Sequence, residues 1–198
     1  DNTIVIFTSD HGDQLLEHGL LEKNVFFEAS VRVPLLVRYP GILRPGLYTE
    51  LIEAVDLLPT LLELAGVPAP VNSQGRSFLP LASGNASAYT QREVAFSENI
   101  IPCVITGEGP VNFPFVPGHG VGGIRHPDAK MARTRRWKLN YYPGYGGELY
   151  DLENDPGESR NLFGEASQQG IVSDLRGAIL DWMIMADETD QIAPRWLL

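Results

Sequence analysis

The most constraining feature of the sequence is a short apolar run that ends in a polar loop. Residues 3–8 read TIVIFT and are rich in β-branched and aromatic side chains, without alternation of apolar and polar positions. Such a run predicts a strand buried on both faces, as in a parallel sheet. The run ends at Ser9-Asp10-His11-Gly12. Because ligands of open parallel sheets bind beyond the carboxyl ends of the strands, this loop is well placed for a site.

Three further segments extend the predicted α/β part. Residues 33–39 form a second apolar run, which ends at the turn signal Pro40-Gly41. Residues 13–19, between the two runs, predict a short helix. Asp56 opens a leucine-rich helix as its cap, and Gly66 stands where a left-handed cap is favoured.

The second half of the chain predicts an α+β architecture. Three short segments separated by turn residues are typical of a small antiparallel sheet: residues 129–133, 138–142 and 148–152. Apolar residues then recur at spacings of three and four over residues 171–183, which predicts an amphipathic terminal helix. We therefore assign residues 1–98 to the α/β part, 99–128 to a Gly/Pro-rich loop and 129–198 to the α+β part.

Charge and hydropathy exclude several classes of protein. With 25 Asp and Glu against 15 Lys and Arg, the formal net charge is -10, which argues against binding to nucleic acid or to an anionic membrane face. No uninterrupted apolar run approaches the ~18 residues that a membrane span needs. A single Cys excludes a disulfide scaffold. An anionic substrate would therefore need a local positive field.

A bound metal ion could supply such a field, and Asp10 and His11 are the first candidates for its ligands. A carboxylate oxygen and a neutral imidazole nitrogen both bind metals. From these residues alone, two simpler interpretations stay open: Asp10 caps the following helix, and His11 is a hydrogen-bonded loop residue.

Several segments, taken together and in order, resemble the second half of the type I sulfatases. They are residues 2–13, 18–23, 27–28, 32–37, 56–68, 75–81, 137–139 and 148–158, with Asn161-Leu162 just beyond. The resemblance covers nearly the whole chain apart from residues 99–128. It implies a partial alkaline phosphatase-like parallel-sheet sandwich followed by a small α+β subdomain, and the hydrolysis of small-molecule or carbohydrate sulfate esters.

The resemblance also implies roles for four residues. Asp10 and His11 would bind the catalytic divalent metal, which is usually calcium in sulfatases. Lys23 would lie against the sulfate group and the bridging ester oxygen and would help to stabilise the leaving group. His18 would hydrogen-bond substrate, although a helix-terminal imidazole near a negative dipole end is an equally simple interpretation. Arg32 is expected to form a structural ion pair.

Part of the sulfatase machinery has no counterpart in this sequence. Sulfatases use a formylglycine nucleophile made from Cys or Ser in a Cys/Ser-x-Pro-x-Arg motif, and two further acidic metal ligands near the amino end. Cys103 does not match that motif, and no Ser does. With the abrupt start at Asp1, this predicts a carboxy-terminal piece that is inactive alone. We expect it to pair with the missing amino-terminal half or with another copy of itself.

Two alternatives to a calcium sulfatase stay open. Many calcium sulfatases carry Asp-Asn where this chain has Asp10-His11, and an imidazole favours manganese or zinc, as in related phosphonate monoester hydrolases. A phosphonate monoester or phosphodiester hydrolase is therefore the first alternative. The second is a non-catalytic interaction module that retains the fold. His119 and His126 are weaker candidates for ligands in the Gly/Pro-rich segment.

Overall fold

The computed structural model describes residues 2–20, 23, 25–99, 129–144 and 146–190. Within these residues the chain packs as two compact units. The first is built from residues 2–8, 35–95 and 180–190, and the second from residues 9–34 and 96–179. The domain boundaries predicted from the sequence stay predictions, and the Gly/Pro-rich loop, Cys103, His119 and His126 lie outside the described residues.

The first unit contains a two-stranded antiparallel sheet. Strand β1 (Val5–Thr8) is followed by residues 9–34, which contain helix α1 (Glu28–Val31), and then by strand β2 (Leu35–Arg38). β1 and β2 pair antiparallel, with Val5 opposite Arg38. The sequence predicted a buried strand with parallel neighbours, whereas Phe7 is 63% exposed. An apolar run reports an affinity for burial, but it carries no information on the direction of the neighbouring strand.

Helix α2 (Leu57–Leu64) confirms the predicted leucine-rich helix. Pro59 lies in its first turn, where the missing N–H costs no hydrogen bond, and Gly66 beyond its end has a φ of 68°. Helix α3 (Leu79–Ala82) follows in the same unit.

The second unit contains the predicted antiparallel sheet, extended by one strand. Its order is β3-β4-β5-β6, and the last three strands pair antiparallel. The strands are β3 (Ala95–Asn99), β4 (Ala129–Arg133), β5 (Trp137–Tyr142) and β6 (Gly146–Asp151). The terminal helix α4 (Gln169–Asp190) confirms the amphipathic pattern. No helix within the described residues is both long and apolar enough to span a membrane.

Residues 9–34 pack on this sheet through two aromatic side chains. Phe27 forms one buried cluster with Leu20 and Tyr150, and Phe26 forms another with Ala129 and Met131. The segment that carries the candidate site residues therefore packs against the core of the second unit.

The short helix predicted for residues 13–19 is wrong. Only a single 3-10 turn, Glu17–Gly19, forms there. Leu15, Leu16 and His18 have φ values of 45°, 76° and 54°, which lie in the left-handed region that a right-handed helix excludes. The loop closes instead through a hydrogen bond of 2.8 Å from the Leu16 N–H to the Leu20 carbonyl. His18 is consequently not at the end of an α-helix.

Candidate active site

Asp10 and His11 lie in the loop directly after β1. The Asp10 carboxylate is 84% exposed, and its Oδ2 lies 3.5 Å from Nε2 of His11. Its Oδ1 accepts a hydrogen bond of 3.0 Å from the His11 N–H. Desolvation raises the pKa of Asp10, but the electrostatic interaction with His11, the backbone hydrogen bonds and the charge of Lys23 together outweigh it and lower the pKa. The carboxylate is therefore ionised and open to solvent at neutral pH.

The imidazole of His11 is oriented by the carbonyl of the next residue. Its Nδ1 lies 2.8 Å from the Gly12 oxygen. Because a carbonyl only accepts hydrogen bonds, Nδ1 must carry a proton, and the neutral tautomer compatible with this contact has its lone pair on Nε2. Metal-binding histidines are commonly held in this way, with one nitrogen fixed by a hydrogen bond and the other free to coordinate. The donor set of Asp10 and His11 therefore fits a divalent metal.

Lys23 joins this pair. Its Nζ contacts Nε2 of His11, so the ammonium lies at the nitrogen that would bind the metal. The structure thus brings together three of the four predicted site residues, Asp10, His11 and Lys23. Within the described part of the chain, no group of three or more His, Cys, Asp or Glu side chains is arranged to hold a metal. Asp10 and His11 would supply only part of a coordination shell.

His18 is held apart from these three residues. Its ring stacks on Phe27, with centroids 3.7 Å apart and planes inclined by 8°. Among the contacts of the described residues, none joins His18 to Asp10, His11 or Lys23. The stacking leaves the ring nitrogens at its edge, so a hydrogen-bonding role toward substrate stays a prediction.

Helix α1 contacts the loop through two hydrogen bonds. The Gly12 N–H donates a hydrogen bond of 2.8 Å to the Ser30 carbonyl, and the buried Gln14 donates one of 2.9 Å to the Ser30 hydroxyl. A Cβ atom at Gly12 would lie 1.8 Å from the Ala29 carbonyl oxygen, closer than any real contact. The glycine is therefore required for the loop to approach the helix.

Sequence reasoning missed these supporting residues. Phe27 enters the sequence analysis only as part of a family segment. Neither Gln14 in the loop nor Ser30 in α1 carries a signal of burial, because polar residues are ordinarily exposed. The requirement at Gly12 depends on residues 17 and 18 positions away, which no local pattern reveals.

Asp56 has a different role from the predicted helix cap. It precedes the first residue of α2, but its side chain makes no cap hydrogen bond to that helix. Its Oδ2 instead accepts the Glu53 N–H at 2.8 Å, within the capping box of the 3-10 turn Ala54–Asp56. Its Oδ1 also accepts hydrogen bonds from the Arg76 N–H at 2.7 Å and from Arg92 at 2.6 Å. Asp56 is fully buried and forms an ion pair with Arg92 in the first unit, so its role is structural.

Arg32 forms the ion pair expected of it, at the margin of contact distance. Its guanidinium lies 4.0 Å from Glu28, one helical turn away, and the side chain is largely exposed. Such a pair contributes little to stability.

Comparison with known proteins identifies the family. The family description "N-sulphoglucosamine sulphohydrolase, C-terminal" matches residues 16–98. Arylsulfatase K of Rattus norvegicus is 37% identical over 163 residues, which are 81% of this chain and 26% of that protein. The chain thus spans about a quarter of this curated relative.

Solved structures support the same assignment. A 2-O GAG sulfatase superposes with a TM-score of 0.75 at 26% identity, covering 97% of this chain and 38% of the other. A phosphonate monoester hydrolase from Silicibacter pomeroyi superposes with a TM-score of 0.73 at 26% identity, covering 92% and 35%. The predicted alkaline phosphatase-like fold class is confirmed. The chain therefore belongs to the sulfatase family and corresponds to the carboxy-terminal portion of its members.

Proposed function

We propose that the full-length protein containing this chain is a metal-dependent hydrolase of sulfate esters, with a sulfated carbohydrate as its substrate. The observation that carries the proposal is the convergence of Asp10, His11 and Lys23 on one point of the loop after β1. The relatives named arylsulfatase and 2-O GAG sulfatase support the ester class and the carbohydrate.

Asp10 and His11 are assigned to the metal and Lys23 to the substrate. A bound divalent ion would neutralise charge on the sulfate group. The His11 tautomer set by Gly12 keeps a lone pair available, and the exposed Asp10 carboxylate supplies a hard oxygen donor. Lys23 provides a compact cation for the sulfate and bridging oxygens, which a chain of net charge -10 otherwise repels. Calcium is the first expectation, with manganese or zinc as alternatives.

The nucleophile must come from outside these 198 residues, because they contain no Cys/Ser-x-Pro-x-Arg motif. We expect a formylglycine in the amino-terminal part of the full-length protein. The 198-residue polypeptide alone should then release no nitrophenol from nitrophenyl sulfate. Turnover by this polypeptide that disappears in Asp10→Ala would contradict the assignment.

The test of the proposal compares two esters on the full-length protein. Rates on 4-nitrophenyl sulfate and on a 4-nitrophenyl phosphonate monoester are measured with calcium, manganese or zinc added. The proposal is supported if the full-length protein hydrolyses the sulfate faster than the phosphonate and if Asp10→Ala loses the sulfatase activity. The matched control is Glu17→Gln, which removes a carboxylate of the same loop and should retain the activity.

Phosphonate monoester or phosphodiester hydrolysis is the second candidate. It is favoured by the imidazole at His11 and by the similarity to the phosphonate monoester hydrolase from Silicibacter pomeroyi. A strong preference for the phosphonate in the same assay would establish it. The non-catalytic module would be supported instead if the purified full-length protein retained no stoichiometric metal and hydrolysed neither ester.

A further inference from the structure

The antiparallel sheet on which residues 9–34 pack contains a fully buried lysine. Lys138 on β5 has no exposed surface, and its Nζ lies 3.1 Å from Oε1 of Glu28 and 2.5 Å from Oε1 of Glu158. Arg133 on β4 adds two hydrogen bonds, of 3.0 and 3.1 Å, to the two carboxylate oxygens of Glu28. We call these four residues, Glu28, Arg133, Lys138 and Glu158, the ion-pair clamp.

The clamp holds both the side chain and the backbone of Glu28. In addition to the contacts of its carboxylate, its N–H donates a hydrogen bond of 2.6 Å to Oε2 of Glu158. Burial raises the pKa of Glu28, but the hydrogen bond from Arg133 and the charge of Lys138 outweigh it and lower the pKa. Glu28 is therefore ionised at neutral pH, and the first residue of α1 is fixed to the sheet.

Stability alone does not explain such a cluster. Buried ion pairs are often no more stabilising than well-packed apolar side chains of the same volume, because desolvation offsets the Coulombic attraction. Glu158 also adopts a φ of 52°, although Gly157, which tolerates that conformation better, is adjacent. The backbone is thus in a disfavoured conformation at the residue whose carboxylate contacts both Lys138 and Glu28.

What distinguishes the clamp is the helix that it fixes. Residues on either side of Glu28 contact residues 9–20, which we call the site loop. Phe27 stacks on His18, and the Ser30 carbonyl accepts the Gly12 N–H at 2.8 Å. Gly12 in turn orients His11 through its carbonyl. A displacement of α1 would therefore move both ends of the loop.

We propose that Glu28 and Lys138 are positioning residues, whose buried ion pair sets the position of α1 and through it the arrangement of the site loop. This inference rests on the proposed function for its catalytic consequence, but its structural consequence is independent of any activity. A site that must hold its ligands to a fraction of an ångström benefits from a rigid support with directional contacts.

The first experiment measures amide hydrogen exchange in the full-length protein and in its variants Glu28→Gln and Lys138→Met. We expect the amides of Gly12 and Leu16 to exchange at least about tenfold faster in both variants, because local opening of the loop becomes easier. Amides of the β5–β6 ladder should keep their protection. The matched control is Asp151→Asn, which removes a buried carboxylate that accepts hydrogen bonds from Arg136 at 2.7 Å and from Glu153 and Asn154, none of which belongs to α1.

The double variant Glu28→Gln/Lys138→Met separates positioning by the pair from the effect of an unpaired charge. Because it removes one negative and one positive group together, it should show slower loop exchange than either single variant. If a single variant fails to fold, Arg133→Gln provides a milder change, which removes the hydrogen bonds to Glu28 and leaves Lys138 in place. The proposal would be overturned if amide exchange increased equally in the loop and in the sheet, or if it increased in neither.

The second experiment measures kcat and KM on whichever ester the wild-type protein hydrolyses. We expect Glu28→Gln to lower kcat/KM by up to about 10²-fold, mostly through kcat, since small displacements of reacting groups have effects of this size. Asp151→Asn should leave both constants unchanged. If the wild-type protein hydrolyses neither ester, the proposed function fails while the exchange experiment still decides on the positioning. If the wild-type protein is active but the variants show unaltered loop exchange and unaltered kcat, the positioning role is refuted and the proposed function is not.

Discussion

The imidazole of His18 lies flat on the phenyl ring of Phe27, with ring centroids 3.7 Å apart. Phe27 is itself buried against Leu20 and Tyr150, so the predicted substrate-binding histidine packs on the core of the second unit through this aromatic side chain. Phe27→Leu keeps the apolar volume but loses the stack. We expect the free energy of unfolding to fall by about 1 kcal/mol and KM for the ester substrate to rise. Denaturant unfolding and steady-state kinetics of the full-length protein measure the two effects.

Phe26→Leu is the matched control for that substitution. Phe26 is as buried as Phe27 but packs in the neighbouring cluster with Ala129 and Met131. It should lose comparable stability without a change in KM. Equal effects of the two variants on KM would contradict a substrate contact for His18.

The metal preference of the site is expected to follow residue 11. His11→Asn replaces a nitrogen donor with an oxygen donor, which should shift binding toward calcium and away from manganese and zinc. Asp10→Ala should weaken binding of all three ions. Titration calorimetry of the metal-free full-length protein measures the affinities. An unchanged order of affinities in His11→Asn would show that this imidazole does not coordinate the ion.

Lys23→Met should separate catalysis from metal binding. Loss of the ammonium is expected to lower kcat by about 10²- to 10³-fold, the usual effect of removing one group that stabilises a developing charge. Since Nζ of Lys23 contacts the nitrogen of His11 that would coordinate, the same variant should bind manganese at least as tightly as the wild type. Kinetics and calorimetry on one preparation test both statements. Weaker manganese binding would assign Lys23 a structural role instead.

Glu148 is expected to make stability fall as the pH rises above about 4.5. Burial raises its pKa, against the opposing hydrogen bonds from Asn140 and Tyr142. The folded state then binds this proton more tightly than the unfolded state, so stability is lost as the pH rises from the ordinary pKa of Glu through the raised one. Glu148→Gln should raise the free energy of unfolding at pH 7 by about 1–2 kcal/mol and flatten this slope.

Asp151 provides the control of opposite sign. The hydrogen bond from Arg136 lowers its pKa to about 2. Its contribution to stability is therefore present above the ordinary pKa of Asp and is lost as the pH falls toward 2. Asp151→Asn should lose stability at pH 7 and flatten only the acid side of the profile. Thermal unfolding of both variants between pH 3 and 8 is the measurement, and a Glu148→Gln variant that is less stable at pH 7 would refute the assignment.

The loop backbone is strained at Leu16, because a residue that carries a β-carbon adopts a φ of 76° there. Leu16→Gly relieves this strain, and because the side chain is 68% exposed, little burial is lost. We expect a gain of about 0.5–1 kcal/mol in the free energy of unfolding. Leu47→Gly, at a leucine that is 92% exposed and is not among the described residues with positive φ, should give no gain. A loss of stability in Leu16→Gly would mean that the leucine packs in the folded protein.

The sequence predicted most of the second unit because its elements are defined by local patterns. The short segments of β4 to β6 and the spacing of apolar residues in α4 each encode their own conformation. The juxtaposition of Asp10, His11 and Lys23 was anticipated from the resemblance to the sulfatases, and the contact between His11 and Lys23 agrees with it. Their roles toward metal and substrate stay predictions.

Long-range contacts explain what the sequence did not predict. The short helix over residues 13–19 does not form: the Leu16 N–H bonds to the Leu20 carbonyl instead of a preceding carbonyl, and the side chain of Gln14 is held by Ser30, 16 positions along the chain. The antiparallel pairing of β1 and β2 is equally invisible to a pattern of apolar residues. No local pattern indicates that Lys138 is buried, because its partners, Glu28 and Glu158, are distant in the chain.

The contact between Gly12 and the Ala29 carbonyl also affects how a mutational scan of this loop should be interpreted. Every side chain at position 12 would collide with backbone, so the scan would report intolerance there as complete as at a metal ligand. Gly12 has no side chain that could take part in the reaction. In this loop, sensitivity to substitution therefore does not identify chemistry, and only comparisons that preserve the backbone, such as His11→Asn, separate reacting groups from the residues that give them room.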